Sequence, residues 1–560
     1  MRMAKVGLLF ETEPMQRRWQ FGLNVFQLYI EEILAHAGIP YTAFHRLEEL
    51  EQYDIVIAGM VRDGQETAEA LWRFANEGGV LIGYRGLNKL AARLGCQREQ
   101  VTGAGYAHMA ASPYPSEPMR YAEAEAWVLE ESGGMEATAV GLLHEARPDG
   151  AAAGPVLLSF RTGQGSIHRW AVDVPVLIAQ MQQGSSPVLD DGVPAKDGSG
   201  AVDEGIHKAD DRFEMDWELD RGATGTGLLY FNHPYADYWR EAIIGQLLQA
   251  AAEHGLTLPF IDLWPDGVDN VALLSLDSDL NDNAAAAAAL DLLEQLSVRS
   301  TWCIIEPGLS EDTYARAKRA GHELAMHYNA HERDGGEWSR DAFREQNEWV
   351  KLATGEADIV SNKNHFTRYE GWGELFQWCE AFGIQADQTR GPSKRGNIGF
   401  PFGTCQPYRP IAWFDEENRL YDVLEIGFLT MDLNYPSLAD DSVITPFLER
   451  AQRVRGVAHF LFHHYHIHHQ PSVHEAAGKV VREAKACGFQ FWTSREINDW
   501  ERSRRAMKLQ MDTIDAIELV GASAEHDAVI WMPVSKDAGA EAAELRYGVP
   551  CVRKVISACA

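Results

Sequence analysis

Long hydrophobic runs are missing: no stretch of the 560-residue sequence approaches the eighteen or so apolar residues that span a bilayer, so no membrane-spanning helix is expected. Cysteine is sparse and unpaired in pattern. Cys96, Cys303, Cys379, Cys405, Cys487, Cys551 and Cys559 make an odd number with no CxxC pair, which argues for reduced thiols and a cytoplasmic protein. Basic charge is scarce as well, with 50 Lys and Arg against 82 Asp and Glu and a net charge of -32. Such a field repels phosphate backbones and anionic lipid, so neither nucleic acid nor a membrane surface is expected as a partner. The opening "MRMAKVGLLFETEP" has no hydrophobic segment followed by a small-residue cleavage site and reads as a first strand. What is present, 46% hydrophobic and 24% charged residues, is the balance of a globular protein. The length suits roughly two to four domains.

The first hundred residues alternate strand and helix signals. "KVGLLF", "YDIVIAG" and "GGVLIGYRG" read as buried strands, with helical spacing between them at Val25 to Ile33 and through Leu71 and Phe74. That rhythm implies a parallel α/β layer sheet. The "NEGGVLIGYRG" segment resembles the class I glutamine-amidotransferase-like (flavodoxin-like) fold. The nearest cysteine, Cys96 in "ARLGCQ", lies beyond the strand and off any tight elbow, so a non-catalytic accessory domain is expected. Gly154 to Val174 reads as a hairpin, and about 184–221 as a Gly-, Pro- and Asp-rich inserted loop, either surface decoration or a lid. A helix from Tyr235 closes the first half, placing boundaries at 1–257, 258–506 and 507–560.

In the second segment, strands are expected at Val271, Arg299, Ala357, Gly383, Tyr421, Val457 and Gly488, with helices between most of them. About seven βα units fit a distorted (β/α)7 barrel, where reactive groups gather at the C-terminal ends of strands. Asp277, His365, Asp387, His463 and Thr493 all fall at such ends. After Met507 the sequence becomes a short β-rich tail.

Three elements carry chemistry. "LLSLDSDLND" places Asp277 and Asp279 two residues apart at a strand end, with Asp282 close behind. "AGHELAMHYNAHERD" supplies His327 and His331, an H-x3-H pair able to present two imidazoles to one ion from a helix face or a turn. "VAHFLFHHYHIHHQP" places His459, Leu461 and His463 on one side of a strand. Two His and one Asp leave coordination positions open, as a catalytic metal requires.

With these motifs in this order, the region from about Val271 to Arg505 resembles the polysaccharide deacetylase family (carbohydrate esterase family 4), as a divergent branch. The resemblance implies Asp277 as general base, Asp279, His327 and His331 as metal ligands, His463 as general acid and Leu461 lining the acyl pocket. It also implies a divalent metal, zinc by default with cobalt, nickel or manganese as alternatives on the same ligands. The activity expected is hydrolysis of acyl groups from amides or esters, most of all N-deacetylation of an acetylated amino sugar or glycan. A small non-sugar amide as substrate, and a non-catalytic scaffold with a degenerate barrel, are the alternatives. The family's Arg-Pro-Pro-aromatic motif is replaced by "SNKNHFTRYEGW", which leaves Lys363, His365, Arg368 or, from the next loop, Arg390 to orient the base. Arg368 and Arg390 are also the candidates for holding substrate.

The absent cysteine elbow generates the first prediction. The protein releases no ammonia from glutamine; release abolished by Cys96→Ala would contradict the accessory role.

Overall fold

The computed structural model describes residues 2–109, 114–130, 135–200, 205–331, 336–436, 438–513, 516–520, 526–534 and 543–556. No helix among them is long and apolar enough to cross a membrane. The first half is built on a seven-stranded sheet in the order Ala137–Val140, Leu157–Thr162, Gly165–Trp170, Val80–Tyr84, Ile55–Met60, Val6–Phe10, Thr42–Phe44. The last five of these pair in parallel, and the first two are added antiparallel. Continuous apolar runs suit strands covered on both faces, and every residue of Val6–Phe10 and of Val80–Tyr84 is buried. The expected hairpin is present as Leu157–Thr162 against Gly165–Trp170. The helical spacing from Val25 becomes a 3-10 turn, Phe26–Tyr29, running into the helix Ile30–His36. Cys96 starts a short strand, Cys96–Arg98, and burial pushes its thiol up to about 11, away from nucleophilic use.

The second half is a curled, all-parallel sheet. Its order is Leu424–Glu425, Ala386–Asp387, Ser361–Asn364, Glu323–Tyr328, Thr301–Ile304, Asn270–Asp277, Val457–His463, Thr430–Met431, and Phe489–Phe491 also pairs with Asn270–Asp277. The two edge strands are joined by Ile426 to Leu429, whose amides donate in turn to each side: Ile426 N to Asp387 O at 2.8 Å and Leu429 N to His459 O at 2.9 Å. That segment draws the sheet edges together. Two strands escaped the sequence reading, Glu323–Tyr328 and Thr430–Met431. The first carries His327, so the H-x3-H pair begins on a strand and runs into a loop rather than sharing a helix face.

The tail forms the hairpin Lys508–Thr513 with Ala516–Val520, and a second small sheet in which Phe260–Ile261, Ala528–Pro533, Val549–Ile556 and Glu544–Arg546 pair in sequence. The inserted loop is largely exposed over 190–199 but buries Lys208, Asp210 and Asp211 near its end. It docks on the chain that follows Ser361–Asn364, through bridges Val188–Gly371 and Lys208–Arg368 and through Asp210 and Asp211 against Lys394.

His168, on Gly165–Trp170, lies between the hydroxyls of Ser159 at 2.8 Å and Ser166 at 2.9 Å, and burial lowers its pKa to about 4. Between about pH 6.5 and pH 4 the unfolded chain therefore holds more protons than the folded one at this site, so acid destabilises the fold. The depression corresponds to about 3 kcal/mol at most, lost as pH falls through that window. Denaturant midpoints at pH 7 and pH 4 should converge in His168→Gln relative to the parent; an unchanged pH slope would refute the assignment.

Candidate metal centre

Every residue of Asn270–Asp277 is buried, and alternation along this extended segment sends Ser275, Asp277 and Asp279 the same way, into the barrel mouth. The intervening Ser278 turns outward and pins the segment to its neighbour: its N–H donates to Cys303 O at 3.1 Å and its Oγ accepts from Ile305 N at 3.1 Å. Asp282 has a different task. It caps the helix Asn283–Leu296, accepting from Ala284 N at 2.8 Å and Ala285 N at 3.2 Å.

Asp279, His327 and His365 bring three ligand atoms together. Asp279 Oδ1 is 3.1 Å from His327 Nε2 and 3.5 Å from His365 Nδ1, and the two imidazole nitrogens are 3.3 Å apart. Donors about 2.0 to 2.1 Å from one tetrahedral ion lie about 3.4 Å from each other, so the triangle has the size of one face of such a site. The tautomer agrees: His327 Nδ1 donates to Lys363 O at 2.8 Å, which leaves the Nε2 lone pair facing Asp279. Asp279 Oδ1 is fully buried among these rings. An electron-rich pocket of this kind fits a cation. Burial alone would raise the Asp279 carboxyl; His463, His327 and His365 outweigh it and hold the group well below the usual carboxylate range. Burial lowers the pKa of His365, keeping a lone pair available.

His331 stands outside this group. Its ring centroid is 6.3 Å from that of His365, against 5.2 Å for His327, and it packs on Phe366 at 4.5 Å. The geometry thus sets His365 beside Asp279 and His327, with His331, the ligand expected from the sequence, one ring farther out. His327 lies on the strand Glu323–Tyr328 and His331 in the loop after it, so the spacing of four does not set the two on one helix face. His365 was legible as a strand-end histidine but was weighed only as a partner for the base.

On the other side of Asp279, Oδ2 is 3.1 Å from His463 Nε2. His463 Nδ1 contacts Asp432 Oδ2 at 2.5 Å, and His466 Nδ1 reaches the same oxygen at 2.9 Å. These three form a second group with ligand atoms close enough to share an ion. Burial opposes charge on both partners, yet the pairing wins: His463 is held well above the ordinary imidazole value, and Asp432 is held down at about 2 by His463 and His466. Asp432 was missed because it follows Thr430–Met431, a strand too short to read in the sequence; the apolar-run-then-Asp pattern of "FLTMD" repeats that of "LLSLD".

The cation on Asp277 is Lys363. Its Nζ lies 3.1 Å from Asp277 Oδ1 and donates to Ser275 Oγ at 2.6 Å, and Ser275 Oγ in turn meets His459 Nε2 at 2.8 Å. Lys363 is 0% exposed. Asp277 Oδ2 faces His327 Nε2 at 3.7 Å. The two arginines go elsewhere. Arg368 pairs with Glu370 and donates to the carbonyls of Ala330 and Gly336, tying down the chain beyond His327. Arg390 is buried with its guanidinium over the Tyr369 ring at 4.6 Å, and its backbone N–H donates to Glu425 at 3.1 Å. Asp387 is taken up by Asn362 and Thr389. Leu461 is buried in the interior, in register with Ser275.

One mouth of a curled parallel sheet thus gathers a His/His/Asp group, a lysine-held carboxylate and an Asp-held histidine. No protein-family model and no curated protein matches the chain. Among solved structures it is similar to the Xyl-CE4 domain of a multidomain xylanase from the hindgut metagenome of Trinervitermes trinervoides, at 16% identity over 42% of this chain and 92% of that one, with a TM-score of 0.27. It is also similar to a family 4 acetyl xylan esterase from Clostridium thermocellum in complex with a cobalt ion, at 18% identity over 41% and 90%, TM-score 0.25. A family 4 carbohydrate esterase from Bacillus anthracis matches at 13% identity over 41% and 82%, TM-score 0.25.

Metal content and zinc affinity by dialysis test the ligand set. Asp279→Asn, His327→Ala and His365→Ala should each weaken zinc binding by at least about tenfold, the range for disturbing a metal shell. His331→Ala should weaken it less; the reverse ranking of His331 and His365 would restore the set expected from the sequence.

Proposed function

We propose that the barrel is a metal-dependent hydrolase that removes acyl groups, acetyl above all, from amides or esters, with an acetylated amino sugar or glycan as the substrate class. The observation that carries this reading is the division of labour around Asp279. On one side stand ligand-type imidazoles and a carboxylate, Asp277, fixed by a buried lysine; on the other stands an imidazole held in its charged form by Asp432. Hydrolysis of an acyl bond needs those two proton-handling groups on opposite sides of one electrophile.

A divalent ion on Asp279, His327 and His365 supplies Lewis acidity toward the acyl carbonyl and the attacking water; zinc is the default for this donor set, and cobalt, nickel or manganese suit it as well. Asp277 takes the proton of the water. Lys363 occupies one of its oxygens and leaves Oδ2 directed to the His327 side, so the accepting lone pair is aimed before substrate arrives. His463 gives its proton to the departing amine or alkoxide, and Asp432 both orients the ring and stabilises its cationic form. Leu461 walls the interior where an acetyl methyl group would rest. Lys363 thus takes the orienting position left open by the missing Arg-Pro-Pro-aromatic motif, which argues against a degenerate barrel.

Acetate release from N-acetylglucosamine oligomers, acetylxylan and simple amides, measured beside metal content, tests the roles. Asp277→Asn should keep the metal and lose turnover by about 10² to 10⁴-fold. His463→Ala should lose as much on amides and less on p-nitrophenyl acetate, whose leaving group needs little protonation. Equal metal loss in Asp277→Asn and Asp279→Asn would make both carboxylates ligands and overturn the assignment of the base.

A further inference from the structure

A column of four polar side chains runs through the barrel interior below the candidate metal centre, and the chemistry proposed above uses only Lys363 and Asp277 at its upper end. His459 faces Leu273 in the strand register, deeper than the Ser275–Leu461 and Asp277–His463 pairs. His459, Ser275 and Lys363 are fully buried. His459 Nδ1 lies 3.1 Å from Ile426 O, and its Nε2 lies 2.8 Å from Ser275 Oγ. Lys363 Nζ reaches the same hydroxyl at 2.6 Å and Asp277 Oδ1 at 3.1 Å. A buried polar chain of this kind is costly to keep unless every member is satisfied.

One placement of hydrogens satisfies the whole column. A carbonyl can only accept, so His459 Nδ1 carries a proton and donates to Ile426 O. Burial, and after it the Lys363 ammonium, hold His459 well below the ordinary imidazole value, so the ring is neutral and Nε2 is a bare acceptor. Ser275 Oγ must then donate its one hydrogen to His459 Nε2, which leaves its lone pairs for Lys363 Nζ. Lys363 also donates to Asp277 Oδ1 and sets its ammonium 5.5 Å from the centre of the Phe428 ring. From Lys363 the donors therefore run one way, through Ser275 and His459, to a main-chain carbonyl. That carbonyl belongs to the segment Ile426 to Leu429 between the two sheet edges, and Leu429 N donates back to His459 O at 2.9 Å. The foot of the column is thus fixed by backbone on both the ring and the main chain of His459.

An ammonium on a flexible four-carbon stem swings when a single acceptor holds it. Tied to Ser275 and Asp277 at once, Lys363 has one position, and the position of Asp277 follows from it. We propose that His459 and Ser275 are positioning residues for the general base: through Lys363 they hold Asp277 Oδ1, so that Oδ2 keeps its aim at the attacking water. This rests on the assignment of Asp277 as the base of an acyl hydrolase. Neither residue belongs to the ligand atoms gathered around Asp279, so their loss should spare the metal and slow the chemical step alone. A column that merely satisfied a buried lysine would matter for stability and leave the rate untouched.

The test uses the full chain and measures kcat and KM for acetate release, bound metal and crystal structures of the variants. Ser275→Ala removes the hydroxyl and His459→Leu the acceptor at Nε2. Each should lower kcat by about tenfold to a hundredfold, the scale for a misplacement of about 1 Å near reacting atoms, with KM and metal content within about twofold of the parent. His459→Gln, whose Oε1 reaches the Nε2 position and accepts from Ser275, should recover most of the rate. The double variant Ser275→Ala/His459→Leu should be no slower than Ser275→Ala, because His459 acts only through that hydroxyl. In the crystal structure of Ser275→Ala, Lys363 Nζ should have left Asp277 Oδ1. Should His459→Leu fail to fold, Ser275→Ala, which deletes one atom, decides the matter by the same rate and structure. The inference is overturned if kcat survives in Ser275→Ala, if Gln at 459 performs no better than Leu, or if the two losses multiply. A parent that releases no acyl group from any substrate would instead overturn the acyl-hydrolase assignment; the place of Lys363 in the Ser275→Ala crystal would then still decide whether the column holds Asp277.

Discussion

Seven register pairs, from Val271–Val457 to Asp277–His463, hold the first and last motifs of the barrel side by side. This ladder is the constraint on which the candidate centre depends. Because both strands are buried and parallel, a slip of one residue would turn Ser275, Asp277 and His459, Leu461, His463 to opposite faces. Apolar residues on the alternate positions, such as Leu274, Leu276, Phe460 and Phe462, pack into the main core and oppose that slip. The chemistry at the mouth is therefore registered by hydrophobic packing on the outer face of the sheet. Ser278, fastened to Cys303 and Ile305, extends the same control one step past the strand and presents Asp279 beside its partners.

Buried charge is the second organising force. Lys363 and Asp277, His463 and Asp432, and the imidazoles around Asp279 alternate in sign along the barrel mouth. Such groups are stable away from water only when paired, and removing one partner leaves the other uncompensated. The arrangement consequently locks orientation as well as charge: Lys363 fixes Asp277 from one oxygen, and Asp432 fixes His463 from Nδ1. Preorganisation of this kind is what a hydrolytic site requires, since the polar groups need not reorient as charge develops.

The two halves share one apolar core, with Phe26 stacked on Trp372 at 5.4 Å, and add specific polar contacts to it. Glu32, on Ile30–His36, is buried against Arg505 at 2.6 Å and 2.9 Å and accepts from Arg409 N at 3.1 Å. Asn418 caps Val25 N at 2.7 Å and Trp19 Nε1 at 2.9 Å. The inserted loop adds a third tie, with Lys208 set 5.7 Å from the Phe366 ring, next to His365 in sequence. Phe366 is 40% exposed and has φ 55°.

Much was legible before any coordinates. The apolar runs at Val6, Ile55, Val80, Val271 and Val457 identify themselves because a parallel strand covered on both faces tolerates little else. Strand alternation alone puts His459 with Leu461 and His463. The hairpin after Gly154 and the helix from Tyr235 follow equally from local pattern. Three things did not follow. Glu323–Tyr328 and Thr430–Met431 are strands whose pairing, not their composition, makes them so; their neighbours supply the hydrogen bonds, and with them come His327 in its true setting and Asp432. The nearness of His365 to Asp279, and of Lys363 rather than Arg368 or Arg390 to Asp277, depend on which side chains share the barrel interior. Residues far apart in the chain converge there only after the sheet has curled and its register is set. Local sequence determines which groups are available and which way each strand alternates; the distances between them belong to the curled sheet.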